Sequence, residues 1–95
     1  MRALESVRRR TPYRAPLHSQ QDRSTPAALS AGRHLGALVK TARLARNWSQ
    51  AELAERSLVS GPTVHRIEQG SVAASLGTWL VVLERLGLLA QVLAM

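Results

Sequence analysis

Residues 48–70 read WSQAELAERSLVSGPTVHRIEQG. Two helix-start signals fall within this stretch. Ser49 stands three residues before Glu52, the spacing of a capping box. The helix it opens runs over about 50–57, with Leu53 and Ala54 facing inward. Ser60 is the next N-cap, and Pro62 sits in the first turn, where a missing N–H costs little. Val64 and Ile67 face inward, and Gly70 stops the second helix. Two short helices joined by three or four residues make a helix-turn-helix unit. The first helix braces the second at a fixed angle. A rod over 61–69 is about 13 Å long and about 10–12 Å across, which suits a DNA major groove about 12 Å wide.

Upstream, AGRHLGALVKTARLARN (31–47) repeats its apolar residues with a helical period. Leu35, Leu38, Val39, Ala42 and Ala45 or Arg46 form the expected buried stripe. Asn47 is a left-handed stop. Downstream, 71–74 is a short connection and Ser75 caps a helix over about 76–86. Leu76, Leu80 and Leu83 line its inner face, with Trp79 and Leu86 beside them. Gly87 ends it. The tail LLAQVLAM extends the helix or forms a strand, with strand preferred. Residues 1–30 hold Pro12, Pro16 and Pro26, few apolar residues and no period, so they read as a disordered basic arm. The expected division is arm 1–30, helix-turn-helix domain 31–87 and C-terminal dimerisation segment 88–95.

The whole chain has 95 residues, 45% of them apolar, which allows one small domain with a core. There is no cysteine, so disulfides and zinc–cysteine sites are excluded and a reducing cytoplasm fits. The formal net charge is +7, which favours a polyanionic partner. It is spread over the chain, +4 in residues 1–30 and +3 in residues 31–95. No apolar run reaches the roughly 18 residues of a membrane span. His18, His34 and His65 lack metal-ligand spacing. No phosphate loop, nucleophile motif or carboxylate pair is present, so no cofactor, metal or enzymatic activity is expected.

The stretch LGALVKTARLARNWSQAELAERSLVSGPTVHRIEQG resembles the Cro/C1-type (XRE) family of DNA-binding proteins. The matching residues are Leu35-Gly36, Val39-Lys40, Arg43, Ser49-Gln50, Leu53-Ala54, Val59-Ser60, Thr63-Val64, Arg66-Ile67-Glu68 and Gly70. The resemblance implies an all-α, compact, lambda-repressor-like domain of four or five helices. It implies a structural ion pair between Arg43 and Glu68. It places Ser49, Gln50 and Gln69 near DNA phosphates, and Gly61, Pro62, Thr63, His65 and Arg66 on the base-reading face. Arg66 is the strongest reader, because a guanidinium grips guanine O6 and N7 together. Two departures stand out. Gly61 and Pro62 replace long polar readers. Leu58 occupies a position where the family often has glycine with positive φ.

A single reading helix binds weakly, so a homodimer on a palindromic operator is expected. Trp79, Val82, Leu86, Leu89 and Val92 are its candidate interface. The pattern of SLGTWLVVLERLGLLAQVLAM (75–95) resembles the HipB-type antitoxins within the family. Their partner is a serine/threonine kinase toxin of the HipA-like kind. The leading function is therefore a transcriptional repressor in the bacterial cytoplasm, autoregulating a HipBA-like toxin–antitoxin operon. A stand-alone regulator and a protein-interaction module with secondary DNA contact are the alternatives. Arg8, Arg9, Arg10 and Arg14 of the arm track phosphates, fold onto a partner or stay solvated.

Overall fold

The computed structural model describes residues 24–95. Among these residues there are five helices and no strand. They are α1 (Pro26–Ala45), α2 (Gln50–Ser57), α3 (Gly61–Glu68), α4 (Leu76–Arg85) and α5 (Leu89–Leu93). The all-α class and the helix-turn-helix pair α2–α3 match the expectation from sequence.

The first four helices start alike. Thr25, Ser49, Ser60 and Ser75 each accept the amide N–H of the third residue onward, at 3.0–3.2 Å. This satisfies one of the amides a helix start leaves without an intrahelical partner. α1 begins earlier than expected: Thr25 is its cap and Pro26 its first residue. Proline breaks a helix interior but suits a first turn, where its fixed φ is already helical. Residues 26–30, read from sequence as arm, are thus helical. The rest of the expected arm, with Arg8, Arg9, Arg10 and Arg14, lies outside the described residues apart from Ser24 and Thr25.

The same four helices also end alike. Asn47, Leu58, Gly70 and Gly87 have φ of 60°, 58°, 83° and 73°. At each end an amide donates back five residues: Trp48 to Arg43, Val59 to Ala54, Ser71 to Arg66 and Leu88 to Leu83. This is the Schellman closure of a helix C-terminus. Leu58 is the chemically odd member, since a Cβ in the left-handed region costs roughly 1–2 kcal/mol. Its side chain is 87% exposed, so burial does not offset that cost.

The core is Val39, Leu53, Ala54, Val64, Ile67, Val82, Leu83 and Leu86. Three sequence expectations need correction. In α1 the buried face is Gly32, Gly36, Val39 and Arg43, while Leu35 and Leu38 are 41% and 46% exposed. The cause is distance. A Cβ on Gly32 would lie 2.7 Å from the carbonyl oxygen of Gly70, and one on Gly36 would lie 2.6 Å from that of Ile67. α1 therefore meets the end of α3 backbone to backbone, and the leucines turn away. In α4, Leu76 is exposed and Leu80 only half-buried; Leu83 faces the core as expected, joined by Val82 and by Leu86 at the C-cap. The C-terminal tail is helix α5, where a strand was preferred. A lone strand leaves its amides and carbonyls unpaired, whereas a helix pairs them internally. Leu88 and Val92 of this tail pack against the chain's own core.

Gly70 and Gly87 separate two costs. A Cβ on Gly70 would sit 2.5 Å from the Cα of Arg33, which is rigid backbone. One on Gly87 would meet only an arginine terminal nitrogen, at 3.3 Å. Gly87→Ala is therefore expected to lose about 1–2 kcal/mol from its positive φ alone. Gly70→Ala should lose distinctly more, read as the shift in the urea midpoint at unchanged slope.

Candidate nucleic-acid interface

The helix-turn-helix pair is held from below by one polar network. Arg43, from α1, donates from Nε to Oε2 of Glu68 at 2.6 Å and from Nη2 to Oε1 at 3.1 Å. Glu68 ends α3. Its side chain is 2% exposed and that of Arg43 is 9% exposed. The third arginine nitrogen, Nη1, donates to the carbonyl oxygen of Trp48 at 2.8 Å. The Gln50 amide nitrogen adds a fourth bond, to Oε1 of Glu68 at 3.0 Å. α1, the start of α2 and the end of α3 are thus tied at one carboxylate. The bidentate fork is a geometry that lysine could not reproduce.

The start of α2 is committed mainly to its own cap. The Ser49 hydroxyl accepts from the Glu52 amide, and the Ser49 amide donates to Oε1 of Glu52 at 2.8 Å. Gln50 turns its side-chain amide to Glu68. The side chains of Ser49 and Gln50, expected near phosphates, are therefore engaged within the protein. What this helix end still offers an anion is its backbone, beside the Glu52 carboxylate.

α3 carries its sequence-assigned readers on the side away from the core. Val64, Ile67 and Glu68 are buried, while Pro62, His65, Arg66 and Gln69 are exposed. The Thr63 hydroxyl lies 2.7 Å from that of Ser60, which leaves its methyl as the group free to contact a base. A Cβ on Gly61 would meet nothing within 4 Å. Packing therefore does not demand glycine there, and the backbone is open to close approach from outside. Trp48 lies just before α2 with Arg56 over its ring at 4.3 Å and Arg46 at 5.7 Å, a cation–π stack that no motif in the sequence announces.

Of the five residues expected at a self-interface, two, Val82 and Leu86, are corrected by burial. Val82 and Leu86 are 0% and 1% exposed within the single chain and have nothing left to offer a partner. Trp79 is half-buried, and its indole N–H donates to the Ser71 carbonyl at 3.2 Å, anchoring the α3–α4 connection. Leu89 and Val92 are half-buried. The surface the fold leaves apolar lies between α1, α4 and α5, and Trp79 and Val92 belong to its lining. Two concavities of about 450 and 480 Å³ open there and share Leu35, Leu83 and Val92. Leu38 lines one and Leu76 the other, and no charged side chain lines either.

Among the described residues no group of His, Cys, Asp or Glu is placed to hold a metal ion. None of their helices is long and apolar enough to cross a membrane.

Residues 34–94 match the protein-family model of a helix-turn-helix domain. The matched stretch starts within α1 and takes in all the later helices. No curated protein and no solved structure matches the chain.

The network predicts an asymmetry between breaking the buried pair and replacing it. Glu68→Ala should cost about 3–5 kcal/mol, because it strands a buried guanidinium. The double variant Arg43→Met/Glu68→Leu should cost clearly less, since no charge is then left unpaired. Urea denaturation of both variants beside the parent chain measures the difference.

Proposed function

The chain belongs to this helix-turn-helix domain family, and from that premise we propose that it is a sequence-specific DNA-binding transcriptional repressor. The observation that carries the reading is the presentation of α3. Its inner side is locked by Val64, Ile67 and the Glu68 carboxylate, and its outer side is exposed over Pro62, His65, Arg66 and Gln69. Arg66 is the principal base reader in this proposal. Thr63 supplies a methyl contact, and Gly61 lets the backbone approach the base edges. Gln69 and the backbone at Ser49 and Gln50 meet phosphates. With so few long polar side chains, sequence-dependent DNA shape supplies part of the discrimination.

The repressor acts as a homodimer on a palindromic operator. Its second copy docks on the apolar face of α1, α4 and α5. Charge supports that choice of occupant. A chain of net charge +7 repels its own copy over most of its surface. This face has no charged lining, so two copies can meet there without opposing like charges. It also leaves both α3 helices free. The narrower reading, an autoregulating antitoxin with a HipA-like kinase partner, rests on the pattern of residues 75–95. That segment is helical and offers no strand for pairing between protomers. A stand-alone regulator is therefore the reading the geometry supports better, and co-purification of a kinase would reverse that order.

Binding is measured on the DNA upstream of the gene and on a scrambled duplex at about 150 mM salt, where non-specific affinity is weak. Arg66→Ala should lower affinity for the upstream DNA by roughly 1–3 kcal/mol more than it lowers affinity for the scrambled duplex. An equal loss on both would make Arg66 a phosphate contact only. Leu35→Asp/Leu38→Asp should convert a dimer to a folded monomer by light scattering. A parent chain that is already monomeric on and off DNA rules out the dimer.

A further inference from the structure

Arg33 has no part in the motif read from sequence, yet the fold brings it beside Arg66. The contact that does this is the glycine-lined crossing of α1 over the end of α3. Gly32 and Gly36 face the carbonyls of Gly70, Ile67 and Glu68, and Gly70 in turn faces the Cα and amide of Arg33. No side chain separates the two backbones, so the base of Arg33 is fixed relative to Gly70 and α3. Arg33, Arg66, Gln69 and Ser71 line one open concavity of about 410 Å³. Both guanidiniums are exposed. Neither has a carboxylate within ion-pair distance among the described residues. Two guanidiniums, a carboxamide and a hydroxyl along one hollow form a site for an anion with several acceptor oxygens.

The geometry points to this hollow as a seat for one phosphodiester group of the DNA backbone, with Arg33 as a phosphate-clamping residue supplied by α1. The inference rests on the DNA-binding reading and extends it, because the interface then reaches beyond the helix-turn-helix pair. Arg33 contributes affinity and register in this arrangement, and Arg66 divides its reach between the phosphate and the base edges. The site sits at the C-terminal end of α3. With Gly61 at the opposite end of that helix, contact is made at both of its ends.

The test uses the full chain and its Arg33→Gln and Arg33→Lys variants, with the upstream and scrambled duplexes, over a range of salt. Arg33→Gln removes a charge that has no carboxylate partner among the described residues, so its melting curve should match the parent. Its affinity should fall by a similar factor on both duplexes, and the slope of log K against log salt should drop by about one. Arg33→Lys should restore most of the affinity and the slope. Unchanged affinity and slope in Arg33→Gln overturn the clamp. So does a thermal shift with millimolar inorganic phosphate alone that Arg33→Gln abolishes while duplex binding stays intact, since the hollow is then a free-anion site. A parent chain that binds both duplexes alike defeats sequence specificity, yet leaves the Arg33 comparison readable on either duplex. Absence of binding to any duplex overturns both.

Discussion

One buried carboxylate organises this domain. Glu68 ends α3, and its two oxygens receive the Arg43 fork and the Gln50 carboxamide. Through Arg43 the same knot reaches the Trp48 carbonyl, in the connection between α1 and α2. A buried ion pair adds little net stability, because removing both charges from water offsets most of their attraction. What it adds is geometry. The paired fork tolerates one relative orientation of α1 and α3, and Gln50 fixes where α2 begins against them. An apolar cluster of the same volume would hold these helices together without choosing between neighbouring angles. A helix that must enter a groove of fixed width needs the angle as well as the attachment.

The outer face of α3 shows how little chemistry the domain presents at its leading end. Gly61 and Pro62 have no hydrogen-bonding side chain, and the Thr63 hydroxyl is turned to Ser60. The packing does not impose this plainness at Gly61, where a side chain would find open space. Recognition in this reading leans on a few groups toward the C-terminal end of α3 and on the contour of the DNA. Arg66 and Gln69 lie there, beside Arg33 and Ser71.

The sequence revealed the features that depend on local chemistry. Hydroxyl caps at Ser49, Ser60 and Ser75, the stop at Asn47 and the inward pairs Leu53–Ala54 and Val64–Ile67 could be read from spacing alone. It misled where a tertiary contact overrides the local signal. Apolar periodicity chose Leu35 and Leu38 for the buried face of α1. The crossing with α3 selects instead for residues without a Cβ, and hydrophobicity carries no information about that. Thr25-Pro26 is a legible helix start, but it follows an aperiodic, proline-containing stretch that reads as arm. In the tail, apolar character suits strand and helix equally, and the absence of a neighbouring strand among the described residues decides it. Val82 and Leu86 read as surplus apolar area only if Leu76 faces inward; with Leu76 exposed, they fill the core. Arg33 gives no local sign of its place, since only the crossing brings it to the hollow it shares with Arg66.

The glycine-lined crossing also bears on how such a domain can change its target. A seam packed through side chains can absorb a methyl here and a lost branch there, and each adjustment rotates the reading helix by a little. A seam made of backbone has no such intermediate settings. In the DNA-binding reading, variation in specificity is then confined to the solvent side of α3. Grafting new side chains onto that side should leave the docking angle as it was, which makes this a forgiving scaffold for redesigned readers and an unforgiving one for a redesigned pose.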